Sequence, residues 1–475
     1  MTNATLYPTA SLSEAAERWA AVVSASGLFL ILHWHYDIVV FYYDAGFYWN
    51  LASPPIFFNY PEVIRGYLYP AILLPFRYLG EITGSALWPF RLASSIVYGW
   101  LLAGVLPDFF GKHLRGRVDL VRRLVPAILL ASLMPGVLLY PLSDLAALAM
   151  AFGSLVCISH SFRAQGFRRF AFTVAAGFLA YGAYNTRTIY AFAAVAIFAV
   201  LFTQTGRRSR IAAFVVGFTL AGLPQSLINV HRHDRWLPVV VVDVGQKKIG
   251  EKRPSLSAVQ TLWGMEIQRY ETNVNPSAAP SAGLYYMDPA GKRLLDEHVS
   301  DFKKFSVAEY LGIMLRNPFD FVGMLGRHFV NGLDVRDGEV YTQSLSSSRN
   351  GVSFINFCVV FVGFAIWARS ASRASKRDVT AFGTWAMPLL LPVLAILPGA
   401  IETRFFLPLH MMLYAGIAFL PTRSDITSLI KRHWALTLIS FLAAASIFYA
   451  ITTSTMASLQ FETPDTIEAF KRKKS

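Results

Sequence analysis

The sequence predicts an all-α polytopic membrane protein with about eleven transmembrane helices. Three observations carry this. Of 475 residues, 54% are hydrophobic and only 15% charged, with mean hydropathy +0.43; a soluble domain carries about 25% charged residues. The apolar residues run in continuous blocks of roughly 18 or more, enough to cross a ~30 Å hydrocarbon core. The blocks do not alternate in polarity as β-barrel strands do. An ordinary soluble enzyme, a disordered chain and a coiled coil are thereby excluded.

The spans lie near 19–36, 86–106, 122–140, 143–160, 168–184, 187–203, 210–229, 351–369, 379–397, 404–421 and 433–454. The first apolar stretch, from Trp19, follows an acidic-leaning segment and reads as a retained span, not a cleaved signal peptide. The piece from Tyr67 to Leu79 is too short to span and carries Pro70, Pro75 and Arg77. It reads as an interfacial or re-entrant helix in the first outer loop. Cys157 and Cys358 fall in apolar segments and make neither a disulfide framework nor a metal site.

Charge orients these spans. The loops 107–123, 160–170, 204–211, 369–378 and 421–433 hold eighteen basic residues against four acids and all fall on one side. The positive-inside rule makes that side the cytoplasm, which places the N-terminus there too. The net charge of +14 is therefore read as topological, with no nucleic-acid partner. Arginine (31) outnumbers lysine (12), which suits a GC-rich bacterial genome, and the expected location is a bacterial inner membrane. The chain divides into a transmembrane module, 1–230, with the outer loop 37–86; a folded extracytoplasmic insert, 231–350; C-terminal spans, 351–454; and a basic tail, 455–475. The insert is nearly neutral, with 15 basic and 14 acidic residues. Within it, Asn317-Pro318 opens an amphipathic stretch from Phe319 to Leu333.

The unusual residues stand at outer span ends. They are Asp37, Asp44, Glu62 and Arg65 after the first span, Asp144 after Pro141-Leu142-Ser143, Arg187 after Tyr184-Asn185-Thr186, and Glu402 and Arg404 after Pro398-Gly399. Ionisable groups at membrane depth are costly and mark functional sites by default. Each also has a plainer reading. Asp144 could cap its helix, and Arg187 could reach headgroups. For Glu402 and Arg404 the plainer reading is a mutual ion pair, which the spacing disfavours, since two residues apart they would occupy different helix faces. His33 and His35 lack the partner cluster a metal site needs.

The segment Asp44-Ala45-Gly46-Phe47-Tyr48 follows the first span, with Asp44 and Tyr48 on one helical face. It resembles the first outer loop of GT-C-type integral-membrane glycosyltransferases, among them protein O-mannosyltransferases, aminoarabinose transferases, arabinofuranosyltransferases and GPI mannosyltransferases. Arg65-Gly66-Tyr67-Leu68-Tyr69-Pro70 is similar to their interfacial helix. Pro141-Leu142-Ser143-Asp144 is similar to an outer helix start, and Glu402-Thr403-Arg404-Phe405-Phe406-Leu407-Pro408 to a late-span segment in several of these families. The resemblance implies a GT-C-like fold and inverting transfer of a sugar from a polyprenyl-phosphate donor to a glycan, lipid or protein hydroxyl on the periplasmic face. It implies Asp44 as general base, with Arg404, Arg187 and Arg65 contacting the donor phosphate. Asp37, Tyr48, Asp144, Glu402 and His328 would orient substrate, with Asp334 a further candidate. A divalent metal (Mg, Mn or Ca) occurs in some relatives, but no clustered ligand set is evident here. The alternatives are a lipid-linked glycan polymerase or ligase, and a lipid or solute transporter or flippase.

Overall fold

The computed structural model describes residues 12–53, 65–85, 87–114, 118–203, 206–240, 255–346, 348–421 and 434–470. Glu62 and the basic run Lys471 to Lys474 lie outside the described residues. The chain is largely helical, and helices coincide with all eleven apolar segments. They are α1 (Leu12–Tyr36), α4 (Trp88–Gly99) continuing through a π-helical turn into α5 (Leu106–Leu114), α6 (Leu120–Leu133), α8 (Ser143–Ser161), α9 (Gly166–Thr186), α10 (Ala191–Val200), α11 (Arg207–His233), α16 (Ser348–Arg373), α17 (Lys376–Ile396), α18 (Leu407–Phe419) and α19 (Trp434–Ala457).

Among the described residues, six of these are long and apolar enough to cross a membrane: Ser13–Tyr36, Trp88–His113, Ser143–Ser161, Arg207–Arg232, Arg349–Arg373 and Leu438–Ala457. Three of the others are shortened for visible reasons. The segment 122–140 breaks after Leu133, where Met134-Pro135 separates α6 from the one-turn α7 (Gly136–Leu139). Segments 187–203 and 404–421 open on 3-10 turns, Thr188–Tyr190 and Thr403–Phe406, leaving α10 and α18 with 10 and 13 residues. An 18-residue span is the usual threshold.

Helix contact is close where small residues permit it. A Cβ at Gly177 of α9 would stand 2.0 Å from the Phe214 carbonyl oxygen, and one at Gly217 of α11 1.9 Å from that of Val174. Only glycine at both positions allows the backbones to meet, as in membrane helix pairs generally. The largest apolar core joins α1, α4 to α6, α8, α10 and α18. Salt bridges tie one end of this bundle: Arg18 and Arg123 both pair with Asp108, at 3.2 and 2.7 Å.

The opposite end carries the loop 37–85, the insert and the tail. The loop holds α2 (Tyr43–Leu51) and α3 (Leu68–Thr83). The helix anticipated between Tyr67 and Leu79 is thus present, and Pro75 sits inside it. The insert departs from an all-α reading. It holds α12 (Leu256–Glu266), α13 (Pro289–His298), α14 (Val307–Arg316) and α15 (Pro318–Leu333) around a four-stranded sheet. Its strands are β1 (Ile267–Asn273), β2 (Gly283–Met287), β3 (Tyr341–Thr342) and β4 (Leu459–Gln460), in the order β3-β1-β2-β4. The hairpin β1–β2 is antiparallel and β3 joins parallel to β1. Strand β4 comes from the segment read as a tail, and pairs antiparallel with β2. Residues 459–468 are therefore part of the insert's fold, secured further by α20 (Asp465–Glu468), where Thr466 donates to Glu266 at 2.5 Å from its hydroxyl.

Candidate functional site

Five segments bring their charged side chains together at this end. Asp44 lies in the first turn of α2, after Tyr43, whose φ of +42° is a strained left-handed conformation for a bulky residue. The amide of Ala45 donates to the Tyr341 hydroxyl at 3.0 Å, fixing the start of α2 to β3. Arg65 precedes Gly66, whose amide donates to the Asn185 carbonyl at 3.1 Å, while Leu68 N donates to Asn185 Oδ1 at 2.9 Å. A Cβ at Gly66 would fall 2.2 Å from that carbonyl oxygen, so glycine is required for the approach. Asp144 is the second residue of α8, Arg187 follows α9 in extended backbone, and Glu402 and Arg404 lie in the turn entering α18.

The contacts form a closed set. One Asp44 oxygen pairs with Arg65 and the other with Arg404 Nη2 at 2.8 Å. Arg404 Nε donates to Glu402 at 2.6 Å, and Arg404 Nη1 lies 3.7 Å from Asp144. Arg187 Nη1 lies 2.5 Å from the other Asp144 oxygen. Three carboxylates thus meet three guanidinia. Aromatic faces complete the shell: Arg65 lies 4.8 Å from the Phe47 ring and 5.5 Å from Tyr48, and Arg187 4.6 Å from Phe405. Tyr48 donates to Ser143 Oγ at 3.1 Å. Asp144 and Arg404 are deeply buried, whereas Asp44 and Arg65 keep 28% and 29% of their side chains exposed.

Burial alone would raise the Asp44 pKa, but Arg404 and Arg65 outweigh it and hold the carboxyl at about 2. Glu402 goes the other way: burial raises it, and Arg404 offsets this only in part. The two acids on one arginine are thus pushed apart, a pattern common at functional sites.

Several sequence expectations change. Glu402 and Arg404 do pair, because Glu402 is extended and the 3-10 turn begins only after it. Asp144 does not cap α8: no side-chain cap bond is made there, and its oxygens face arginines. Arg187 turns inward to Asp144 instead of outward to headgroups. Asp37 is not with the cluster; both terminal nitrogens of Arg91 reach its Oδ1 at 3.0 Å, and its side chain is 70% exposed. His328 is fully buried in α15, its Nδ1 2.6 Å from the Leu397 carbonyl oxygen, and is likewise apart from the cluster. Burial lowers its pKa. The carboxylates at the site are each matched by guanidinium, a donor set that does not fit a divalent ion. Among the described residues no group of three His, Cys, Asp or Glu is placed to hold one.

Two supporting networks were not anticipated. In the insert, Arg269 is wholly buried and meets Glu271 at 2.9 Å, Asp337 at 2.8 Å and Asp334 at 3.3 Å. Asp334 thus belongs here and not to the cluster. Thr403, between Glu402 and Arg404, donates to the Asp334 carbonyl at 2.5 Å and to the Asp337 carboxylate. The insert is therefore a pedestal for the Glu402–Arg404 turn. In the bundle, Asn185 donates to Gln225 at 2.9 Å and Gln225 to Asn229 at 3.0 Å, and Asn229 reaches the carbonyls of Leu237 and Val239. The sequence signal was Gln225 and Asn229 four apart in an apolar helix.

Fold and site define a helical membrane protein with a charge-balanced, partly exposed ion-pair cluster at one end of its bundle. No family model matches the chain, and neither a curated protein nor a solved structure matches it.

Proposed function

We propose that this protein is a GT-C-type membrane glycosyltransferase. It moves a sugar from a polyprenyl-phosphate donor to a hydroxyl acceptor on the extracytoplasmic face of a bacterial inner membrane, with inversion. The observation that carries the reading is the meeting of Asp44, Arg65 and Arg404. These residues come from segments up to 360 positions apart, and meet where an amphiphilic donor's phosphate would lie beside an apolar bundle.

The chemistry needs a base, a cation pair and orientation. Asp44 takes the acceptor hydroxyl's proton as that oxygen bonds to the anomeric carbon. The bond from the anomeric carbon to phosphate oxygen breaks, and the leaving polyprenyl phosphate gains negative charge. Arg65 and Arg404 stabilise that charge, since guanidinium binds phosphate oxygens in fork geometry. Asp144 and Glu402 hold Arg404 through its other two nitrogens, Nη1 and Nε. Arg187 neutralises Asp144 and stacks near Phe405. Asp37 and His328, placed elsewhere, have no part in this scheme.

The test is purified protein in nanodiscs offered a panel of radiolabelled polyprenyl-phosphate sugars with candidate acceptors. At least one donor gives product with wild type, and Asp44→Asn lowers the rate by 10²-fold or more, at the lower end of what a positioned base contributes. No product from any donor, or an equally active variant, overturns the assignment.

A further inference from the structure

The base proposed above is unusually occupied. Each of its oxygens is taken by a different arginine, and those are the two arginines a phosphate would need. Resting on the reading of Arg65 and Arg404 as phosphate contacts, we infer that the Asp44 carboxylate sits in the phosphate's own seat: the donor's phosphate displaces it, and only then is it free to act as base.

Three observations support the exchange. The first is geometric. Arg404 is gripped by Glu402 on Nε and faces Asp144 through Nη1, so its Nη2 edge stays aimed at the seat whether or not Asp44 holds it. The second is accessibility. Asp44 and Arg65 are the exposed half of the cluster, while Arg404 is 9% and Asp144 2% exposed. An incoming anion therefore meets the bridge that must open, not the buried pairs behind it. The third is charge. With three carboxylates already matched to three guanidinia, a phosphate entering beside intact pairs would bring an unmatched negative charge into a poorly solvated site. Exchanging carboxylate for phosphate keeps every guanidinium paired and leaves the surplus negative charge on the released Asp44 carboxylate, which at 28% exposure is the one that solvent can reach.

The backbone can stay still, because Ala45 N is fixed to the Tyr341 hydroxyl and only the Asp44 side chain need turn. The exchange also resolves the base strength. Between two arginines the carboxyl is held at about 2, too acidic to take a hydroxyl proton well. Released from one or both, it moves back toward the ordinary carboxylate range. Donor binding thus precedes base activation, and without a donor the base is held idle.

The test measures binding and needs no sugar transfer, so it can fail while the glycosyltransferase reading survives, and the reverse. Farnesyl monophosphate is titrated by calorimetry into the detergent-purified full chain, with inorganic phosphate as the headgroup-only arm. Asp44→Asn, which removes the competing anion, binds farnesyl monophosphate at least ten-fold tighter than wild type. Glu402→Gln removes a charge just as close to Arg404 but on Nε, a donor the phosphate does not need to take over, and changes affinity less than three-fold. If Asp44→Asn does not fold, Asp44→Ser carries the same expectation. Equal or weaker binding by the Asp44 variant, or equal tightening by Glu402→Gln, overturns the proposal, the latter by reducing the effect to general electrostatics.

Discussion

Replacing Arg404 by glutamine should destabilise the protein through one identifiable orphan charge. Arg404 approaches Glu402, Asp44 and Asp144 at 2.6, 2.8 and 3.7 Å. At an effective dielectric constant of ~20 each contact has a gross attraction of about 4–6 kcal/mol. The burial cost of the charges cancels much of that, and breaking a buried pair by deleting one partner costs about 3–5 kcal/mol net. The loss is unevenly felt. Asp44 retains Arg65 and Asp144 retains Arg187, so Glu402 is the acid left unmatched. Arg404→Gln therefore lowers the apparent melting temperature in detergent by several degrees. Adding Glu402→Gln recovers most of the loss, although Glu402→Gln alone is mildly destabilising. Thermal unfolding followed by size-exclusion fluorescence for the four proteins of this cycle measures the coupling. Wild-type stability in Arg404→Gln, or a double variant no better than Arg404→Gln, refutes the reasoning.

Two further outcomes follow from the same geometry. Gly66→Ala places a methyl group 2.2 Å from the Asn185 carbonyl oxygen, over 1 Å inside ordinary contact. It should cost about 1–3 kcal/mol by overpacking and lower transfer about 10²-fold by shifting Arg65; unchanged turnover in a folded variant would speak against it. The Asp44 pairs favour folding with a pKa depressed to about 2, so their contribution is present above the unfolded value near 3.9 and is lost as pH falls through about 2. Denaturant midpoints between pH 5 and pH 2 should accordingly fall less in Asp44→Asn than in wild type.

Much of the helical skeleton was legible because membrane burial demands long apolar runs, and those runs need no partner to be recognised. The same logic picked out the members of the charged cluster: Asp44, Arg65, Asp144, Arg187, Glu402 and Arg404 stand out as charges at the ends of apolar helices. Pairing was harder to read. Helical spacing argued against a Glu402–Arg404 contact, yet the local chain is extended before a 3-10 turn, and that choice depends on Thr403 bonding to the insert. Asp37, another acid after the first span, was expected to orient substrate beside Asp44; the position of Arg91 on a neighbouring helix holds it elsewhere. The sheet was illegible for another reason. Its strands are short, two of them two residues long, and β1 is buried with charged Arg269 and Glu271 inside, so neither alternation nor an apolar run announces it.

The position of β4 bears on biogenesis. Leu459 and Gln460 are among the last described residues, yet they pair with β2, which is bonded to β1, whose Tyr270 amide donates to the Ile401 carbonyl at 2.8 Å beside the Glu402–Arg404 turn. The strand order runs without a gap from the turn to the late-synthesised edge. Until that edge is translated and delivered to the same side as the insert, β2 exposes an open, hydrogen-bonding margin. Helix α19, which leads into β4, therefore acts as a delivery device as well as a structural member. Maturation of the cluster is tied to synthesis of β4, so a nascent chain stalled before residue 459 would hold every charged side chain of the cluster but lack the strand that closes the sheet bracing it.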